Sequence, residues 1–305
     1  MLFNLLLSGF LTLVELNCEN LFDTQHDSLK NDIEFTPEGS YHWTRTRYWR
    51  KLNNISKEII ALGELNPKNE SKWQLPSLVV LSEIENDTVM RDLTKRSLLR
   101  NAKYDYVMTN SPDVRGIDVA LLYDPYTFIP LNHHSIRVKP LKGMRPTRDI
   151  LYVSGLVYGV DTLHVFCVHA PSRSGGERSS RPNRMQVERQ LALAVDSISH
   201  ISMNANILIA GDFNDYSGST VIDSLCKHHL VNISSAAIGS NGAKGTYRYH
   251  GEWGSLDQIF CSNPLSLKLI DCFIGDLPFL LEDDNKYGGS HPKRCYLGPK
   301  YQNGY

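Results

Sequence analysis

An apolar run that ends in a carboxylate, amide or imidazole is a simple way to bring a polar group to the rim of a core. This sequence does so repeatedly. Asn17 and Glu19 follow residues 11–16, and Glu83 follows Leu78-Val79-Val80-Leu81-Ser82. His169 closes residues 163–168, and Asp212 and Asn214 follow Ile207-Leu208-Ile209-Ala210-Gly211. Asp257 sits in Ser255-Leu256-Asp257-Gln258-Ile259-Phe260. Carboxylates and amides are hard oxygen donors, so a convergent set suits Mg²⁺, Mn²⁺ or Ca²⁺ rather than zinc. Collecting carboxylates in one cleft is costly unless a cation or phosphate chemistry compensates. Singly, each residue has an ordinary explanation. A strand-end Glu is usually solvated, Asn17 and Gly-Asp-x-Asn form good turns, and a lone histidine is more often a satisfied core or turn residue. The order N-x-E, E, H, G-D-F-N, L-D-x-I-F raises them together above that background.

Arg173, Arg178, Arg181 and Arg184 follow His169 closely, interleaved with Ser172, Ser174, Gly175, Gly176, Ser179 and Ser180. Glycine lets backbone N–H groups approach an anion, and the guanidinium fork suits phosphate oxygens. A solvated loop is the plainer account; the position beside His169 favours contact with a substrate phosphate. Arg115, Arg145 and Arg148 are weaker candidates of the same kind. His133-His134 and His228-His229 have no metal-ligand context and read as surface residues.

Strands are expected at 11–17, 78–84, 104–109, 117–123, 151–157, 163–169, 206–212 and 256–261. Several are continuous Val/Ile/Leu runs, as in strands buried on both faces. Helices are expected at 46–62 and 181–200, each with one apolar stripe, and at 219–230. Strands interleaved with helices imply layered α/β or α+β architecture. Residues 171–184 and 282–305 read as loops. No internal repeat or low-complexity linker divides the chain.

The 305 residues are 41% hydrophobic and 21% charged, a globular profile with net charge −1 and no overall basic footprint. Attraction to phosphate must come from local clusters. Six cysteines lack C-x-x-C spacing and read as small core hydrophobes rather than a disulfide framework. Residues 2–14 are mostly apolar without a basic start, and the first ten read equally as the remnant of a signal segment or an extension of the first strand. Cytoplasmic and exported locations are therefore weighted equally.

The ordered set resembles the endonuclease/exonuclease/phosphatase family, from residue 11 to the C-terminus. Finer segments are similar to a bacterial endonuclease-like branch: NCENLFDTQHD, SEIEND, SPDVRGIDVALLYDP, RPTRDIL, PSRSGGE and YLGPKY. The resemblance implies an α/β (α+β) four-layer sandwich, two stacked mixed β-sheets flanked by helices, in a single domain over 11–305. It implies Mg²⁺ (or Mn²⁺) held mainly by Glu83, helped by Asn17 and Glu19. It further implies that Asp212 orients or deprotonates water, Asn214 holds the phosphate, and His169 donates to a phosphate oxygen. Asp257 would hold the family's last catalytic histidine.

That histidine belongs to a Ser-Asp-His or Thr-Asp-His that this sequence lacks. Ser290-His291-Pro292 lacks the aspartate and precedes YLGPKY. The expectation is a chain that stops short of its last strand and histidine, with sharply reduced turnover, rather than one in which His291 substitutes. The leading function is a metal-dependent phosphoesterase acting through an activated water, nuclease-like by family weight. The substrate is a phosphate ester, with DNA or RNA, a lipid headgroup and a sugar phosphate as candidates. The alternative is a catalytically dead phosphate-ligand-binding member, and a zinc hydrolase ranks third. A monomer without an obligate protein partner is expected.

Overall fold

The computed structural model describes residues 10–63, 73–297 and 300–302. The apolar stretch at residues 1–9 lies outside them. The chain runs β1 (Leu13–Leu21), α1 (Arg45–Leu62), β2 (Leu78–Ile84), α2 (Asp87–Lys95), β3 (Asp105–Met108), β4 (Asp118–Tyr123), β5 (Phe128–Ile136), β6 (Ile150–Val157) and β7 (Asp161–His169). It continues with α3 (Glu177–Ile201), β8 (Asn206–Asp212), α4 (Thr220–Leu225), β9 (Leu230–Asn232), β10 (Tyr247–Tyr249), β11 (Glu252–Gly254), β12 (Asp257–Ser262), α5 (Asn263–Ser266), β13 (Leu281–Asp283), β14 (Ser290–Pro292), β15 (Tyr296–Leu297) and β16 (Lys300–Tyr301).

Two mixed sheets dominate, in the orders β1-β2-β4-β3 and β5-β6-β7-β8-β12-β9. Successive side chains of a strand point to opposite faces, and here both faces are covered. Leu78 and Val80 of β2 meet Val153, Val165 and Ala210 in the core between the sheets. Val79 and Leu81 turn the other way, onto Leu52, Ile55 and Ile59 of α1. On the far side, Ile150, Phe166 and Ile209 pack under Val187, Leu191 and Val195 of α3. The result is the helix–sheet–sheet–helix sandwich expected, and it explains the unbroken apolar runs.

The parallel pairs β1/β2 and β7/β8 are each joined by a crossover helix, α1 and α3. Both crossovers therefore bring strand C-termini to the same end of their sheet. Asn17, Glu83, His169 and Asp212 sit at or beside those ends.

Some elements differ from the sequence expectation. Helix α3 starts at Glu177, not 181, after Gly175 and Gly176 with φ of 79° and 105°. Pro182 is accommodated inside it, so the expected loop is helical from residue 177. The expected helix over 219–230 ends at Leu225, passes through a 3₁₀ turn and a left-handed His229 (φ 58°), and gives way to β9. Residues 282–305 hold two short hairpins, β13–β14 and β15–β16, rather than loop alone. Strand β5 was not foreseen because it is a largely exposed edge strand that carries Pro130 and breaks register between Pro130 and Asn132. Cys18, Cys167, Cys261 and Cys295 are buried and Cys226 is exposed.

Candidate active site

The site forms where regular pairing gives way. The β1/β2 register breaks between Asn17 and Leu21, and the β2/β4 register breaks between Ser82 and Ile84. Within those breaks Glu19, Asn20 and Glu83 take left-handed φ of 46°, 60° and 62°. Such conformations cost about 1–3 kcal/mol each and persist only where surroundings impose them. Bulges re-aim side chains, and these lift Asn17, Glu19 and Glu83 out of strand alternation toward one end of the sandwich.

Gly-Asp-Phe-Asn is shaped by the neighbouring strand. A Cβ on Gly211 (φ 150°) would lie 1.8 Å from the Val168 carbonyl oxygen, so only glycine fits the β7–β8 contact. Phe213 anchors the turn in the core. Asn214 (φ 50°) donates its backbone N–H to Asp212 Oδ1 at 2.7 Å and its side-chain amide to Ala170 O at 3.1 Å. Register places His169 opposite Asp212 on one side and Asp257 opposite Asp212 on the other.

The groups converge tightly. Asn17 Nδ2 donates to Asp212 Oδ2 at 3.0 Å, and Asn17 Oδ1 accepts the Glu19 N–H at 2.8 Å. His169 Nε2 lies 3.8 Å from both Glu83 Oε1 and Asp212 Oδ2, and Arg115 Nη2 lies 4.0 Å from the same Glu83 oxygen. Burial, then the negative charge of Asp257, pushes the Asp212 carboxyl well above its ordinary range, against the Asn214 and Asn17 hydrogen bonds. Asp257 is raised, chiefly by burial, although Thr246 donates to it. Glu15, two residues before Asn17, is raised by burial and by both aspartates, and its Oε1 has no partner among the described residues. Burial, then Arg148 and Arg115, holds His169 well below its usual range, so the imidazole is neutral near pH 7. With its proton on Nε2, that ring is a donor facing the carboxylates.

Not every expected residue joins this group. Glu19 lines the same cavity, but its carboxylate is taken by the Arg294 side chain and by the Cys295 N–H at 2.5 Å. Arg173 pairs with Glu177 at 3.0 Å and lies over the Tyr216 ring, and Arg178 is exposed on the first turn of α3, off the cavity wall. Arg181 also pairs with Glu177, at 2.9 Å. Arg184 and Arg148 are buried structural cations, bonded to Asp215 at 2.9 Å and Asp113 at 3.1 Å. Of the three expected phosphate-binding arginines, only Arg115 reaches the cleft. His133 and His134 are exposed as expected, and His228 bonds Asp196 at 2.8 Å. His291 stands on β14, with Nδ1 2.9 Å from Pro292 O and 3.6 Å from Glu282.

Lys51 went unread in the sequence. Fully buried on α1, it donates to the carbonyls of Glu19 and of Asn20 (3.1 Å), and its Nζ lies 4.5 Å over the Tyr296 ring. A lysine among Tyr48, Leu52 and Ile55 on an apolar helix face was the available signal.

A cavity of about 1010 Å³ opens at Asn17, Glu83, His169, Asp212 and Asp257 and runs along β1 past Leu13, Leu208 and Cys261. Among the described residues, no three His, Cys, Asp or Glu side chains are grouped to hold a metal by themselves. The chemistry of the donor set still fits one hard cation. Mg²⁺ commonly takes one or two carboxylates plus waters and substrate oxygens. Glu83 and Asn17 offer such ligands, and crowded Asp212, Asp257 and Glu15 would gain from a nearby positive charge.

A family profile described as Endonuclease/Exonuclease/phosphatase family matches residues 12–305, so the chain belongs to that family. Members are hydrolases of phosphate esters. No curated protein matches the chain. Among solved structures it is similar to an endonuclease/exonuclease/phosphatase family protein of Bacteroides thetaiotaomicron (TM-score 0.55, 14% identity, 83% of each chain covered). A mannosyl-6-phosphatase of the same organism gives TM-score 0.55 at 14% identity over 83% of this chain and 86% of the other. A humanized D. rerio TDP2 gives 0.53 at 15% identity over 83% of each. These likenesses establish the fold.

Proposed function

We propose that the chain is a divalent-metal-dependent phosphodiesterase that hydrolyses its ester by in-line attack of a water held at Asp212. One observation carries this reading: Asp212 is buried, held by hydrogen bonds from Asn17 and Asn214, and lies 3.8 Å from the His169 imidazole, with its carboxyl pKa raised by burial and by Asp257. A carboxylate with raised pKa takes a proton from water more readily than a solvated one. His169 donates from Nε2 to a phosphoryl oxygen as charge grows there, and Arg115 adds a cation from the Glu83 side. Asn214 steadies the turn and offers its amide at the phosphate. A Mg²⁺ or Mn²⁺ ion on Glu83 and Asn17 would polarise the phosphoryl group. Glu19, committed to Arg294, supports the β1 bulge instead.

Hydrolysis of bis-p-nitrophenyl phosphate with added Mg²⁺ or Mn²⁺ tests this reading. D212N should lower turnover by about 10²–10⁴-fold, and E83A should weaken Mg²⁺ binding by calorimetry. Wild-type turnover in D212N, or equal Mg²⁺ affinity in E83A, would sink the assignment. A second reading, a member that binds phosphate ligands without turnover, has its own support. Asp257 accepts from Thr246, and among the described residues no histidine is hydrogen-bonded to it. Metal binding without hydrolysis would favour that reading.

A further inference from the structure

The connection between β5 and β6 carries a one-sided charge. Between Pro125 and Val160 the only carboxylate is Asp149, which is buried and claimed by Arg137 at 3.2 Å. Lys139, Lys142 and Arg145 are exposed, and none has an ion partner among the described residues. The legs of this loop are nevertheless fixed. Val138 and Met144 are buried in the core beneath α3, and Gln186 of α3 donates to the Lys139 carbonyl at 2.8 Å.

Between those anchors the chain turns back at Leu141-Lys142-Gly143-Met144, closed by the Met144 N–H on the Leu141 carbonyl at 2.9 Å. Gly143 takes φ 84° at the third position, where such a turn favours glycine. A Cβ there would meet nothing within 4 Å, so the tip stands clear of the body. Val138 and Met144 enter the core, but Leu141 does not: it is 39% exposed, with Lys139 and Lys142 on either side. Helix α3 extends the same face. Its outward stripe, Met185, Arg189 and Leu193, is exposed on the flank next to Gln186, while Glu188 is buried. Neither the loop nor the stripe carries an exposed carboxylate or an aromatic ring.

We propose that this face docks the protein on an anionic phospholipid bilayer, with Leu141 entering the headgroup layer and the surrounding cations meeting lipid phosphates. Shape and composition select that partner. A protruding turn beside a helix flank offers no groove to a peptide and no ring on which a nucleobase could stack. A bilayer needs only a basic surface with an apolar point to insert. The proposal does not depend on the phosphoesterase reading, since none of these residues lines the cleft. The loop does emerge at the cleft end, where Arg148 donates to the Ala170 carbonyl at 2.6 Å, one residue past His169. Docking therefore holds the cleft near the membrane surface.

Co-sedimentation of the full chain with vesicles in EDTA tests this, comparing phosphatidylcholine alone with a mixture containing about 30% phosphatidylserine. The mixed vesicles should bind the chain and the neutral ones should not. Each basic residue near an anionic surface contributes about fivefold, so K139Q/K142Q/R145Q should weaken binding by about a hundredfold. L141N should weaken it severalfold even at high salt, because an apolar contact is not screened. All four positions are exposed, and circular dichroism should be unchanged in both variants. Failure to bind the mixed vesicles, equal binding to both compositions, or full binding by the triple variant would overturn the proposal. Binding of a duplex oligonucleotide that the triple variant loses, without binding to vesicles, would also overturn it and assign the face to nucleic acid.

Discussion

Glu58 shows what the cavity demands of a single side chain. It lies buried on α1 at the cavity wall, its Oε1 without a partner among the described residues. Burial, then the charge of Glu19, raises its pKa from 4.5 to about 8. A carboxyl raised on folding binds its proton more tightly in the native state. The resulting destabilisation is absent below pH 4.5, grows as pH rises to about 8, and is constant above. E58Q removes it. Denaturant unfolding of metal-free protein should show E58Q gaining on wild type between pH 5 and 8, by an amount on the order of a few kcal/mol. A pH-independent difference would refute the shift. His169, depressed by burial, acts in the opposite direction, which is why the comparison must be made between variant and parent. Sequence reading grouped Asn17, Glu83, His169, Asp212, Asn214 and Asp257 because each lies at or near the end of an apolar run, and the structure gathers all six on the wall of one cavity. It grouped Glu19, Arg173 and Arg178 with them; in the structure Glu19 pairs with Arg294, Arg173 pairs with Glu177 and Arg178 is exposed, because spacing shows that a charge is near the site but not which ion partner claims it.

At the scale of elements, the site depends on helix α1 as much as on the strands that carry it. The left-handed Glu19–Asn20 bulge is fixed from behind by Lys51, whose ammonium satisfies two carbonyls that strand pairing has abandoned. K51M keeps the apolar stem and removes the donors. Leaving buried carbonyls unsatisfied costs about 1–3 kcal/mol each. The Asn20 carbonyl keeps the Phe22 N–H at 3.1 Å, so K51M strips the donor chiefly from the Glu19 carbonyl and should lower unfolding free energy by about 1–3 kcal/mol. Because Asn17 is tied to the same bulge through the Glu19 N–H, Mg²⁺ affinity should fall with it. Stability and Mg²⁺ binding both unchanged in K51M would show that the bulge holds without the lysine. The major strands and α1 and α3 were legible as periodic apolar runs. The bulges were not, since they arise where β1 and β2 fall out of register, a relation between distant segments. Exposed β5 and the short β10–β11 hairpin, packed on few hydrophobic residues, were equally silent.

For the whole molecule, a net charge of −1 sets how a phosphate polymer would be held. Most cations near the cleft are already neutralised: Arg294 by Glu19, Arg248 by Asp284, Arg184 by Asp215 and Arg148 by Asp113. Arg115, Arg173, Arg178 and Lys244 lie at or near the surface to meet phosphates, with Arg115 shared with Glu83 and Arg173 with Glu177. Each phosphate contact on a single strand releases condensed counterions and contributes about −0.7 to the slope of log K against log salt. Three or four contacts therefore predict a slope of about −2 to −3 for an oligonucleotide. A protein with a continuous basic track would give a much steeper one. Affinity should then survive physiological salt chiefly through contacts that salt does not screen, at the groups around Asp212. Titrating (dT)₈ binding in EDTA from 50 to 300 mM KCl measures the slope directly. A value steeper than about −5 would mean that phosphates are read over a far larger surface than the cleft provides.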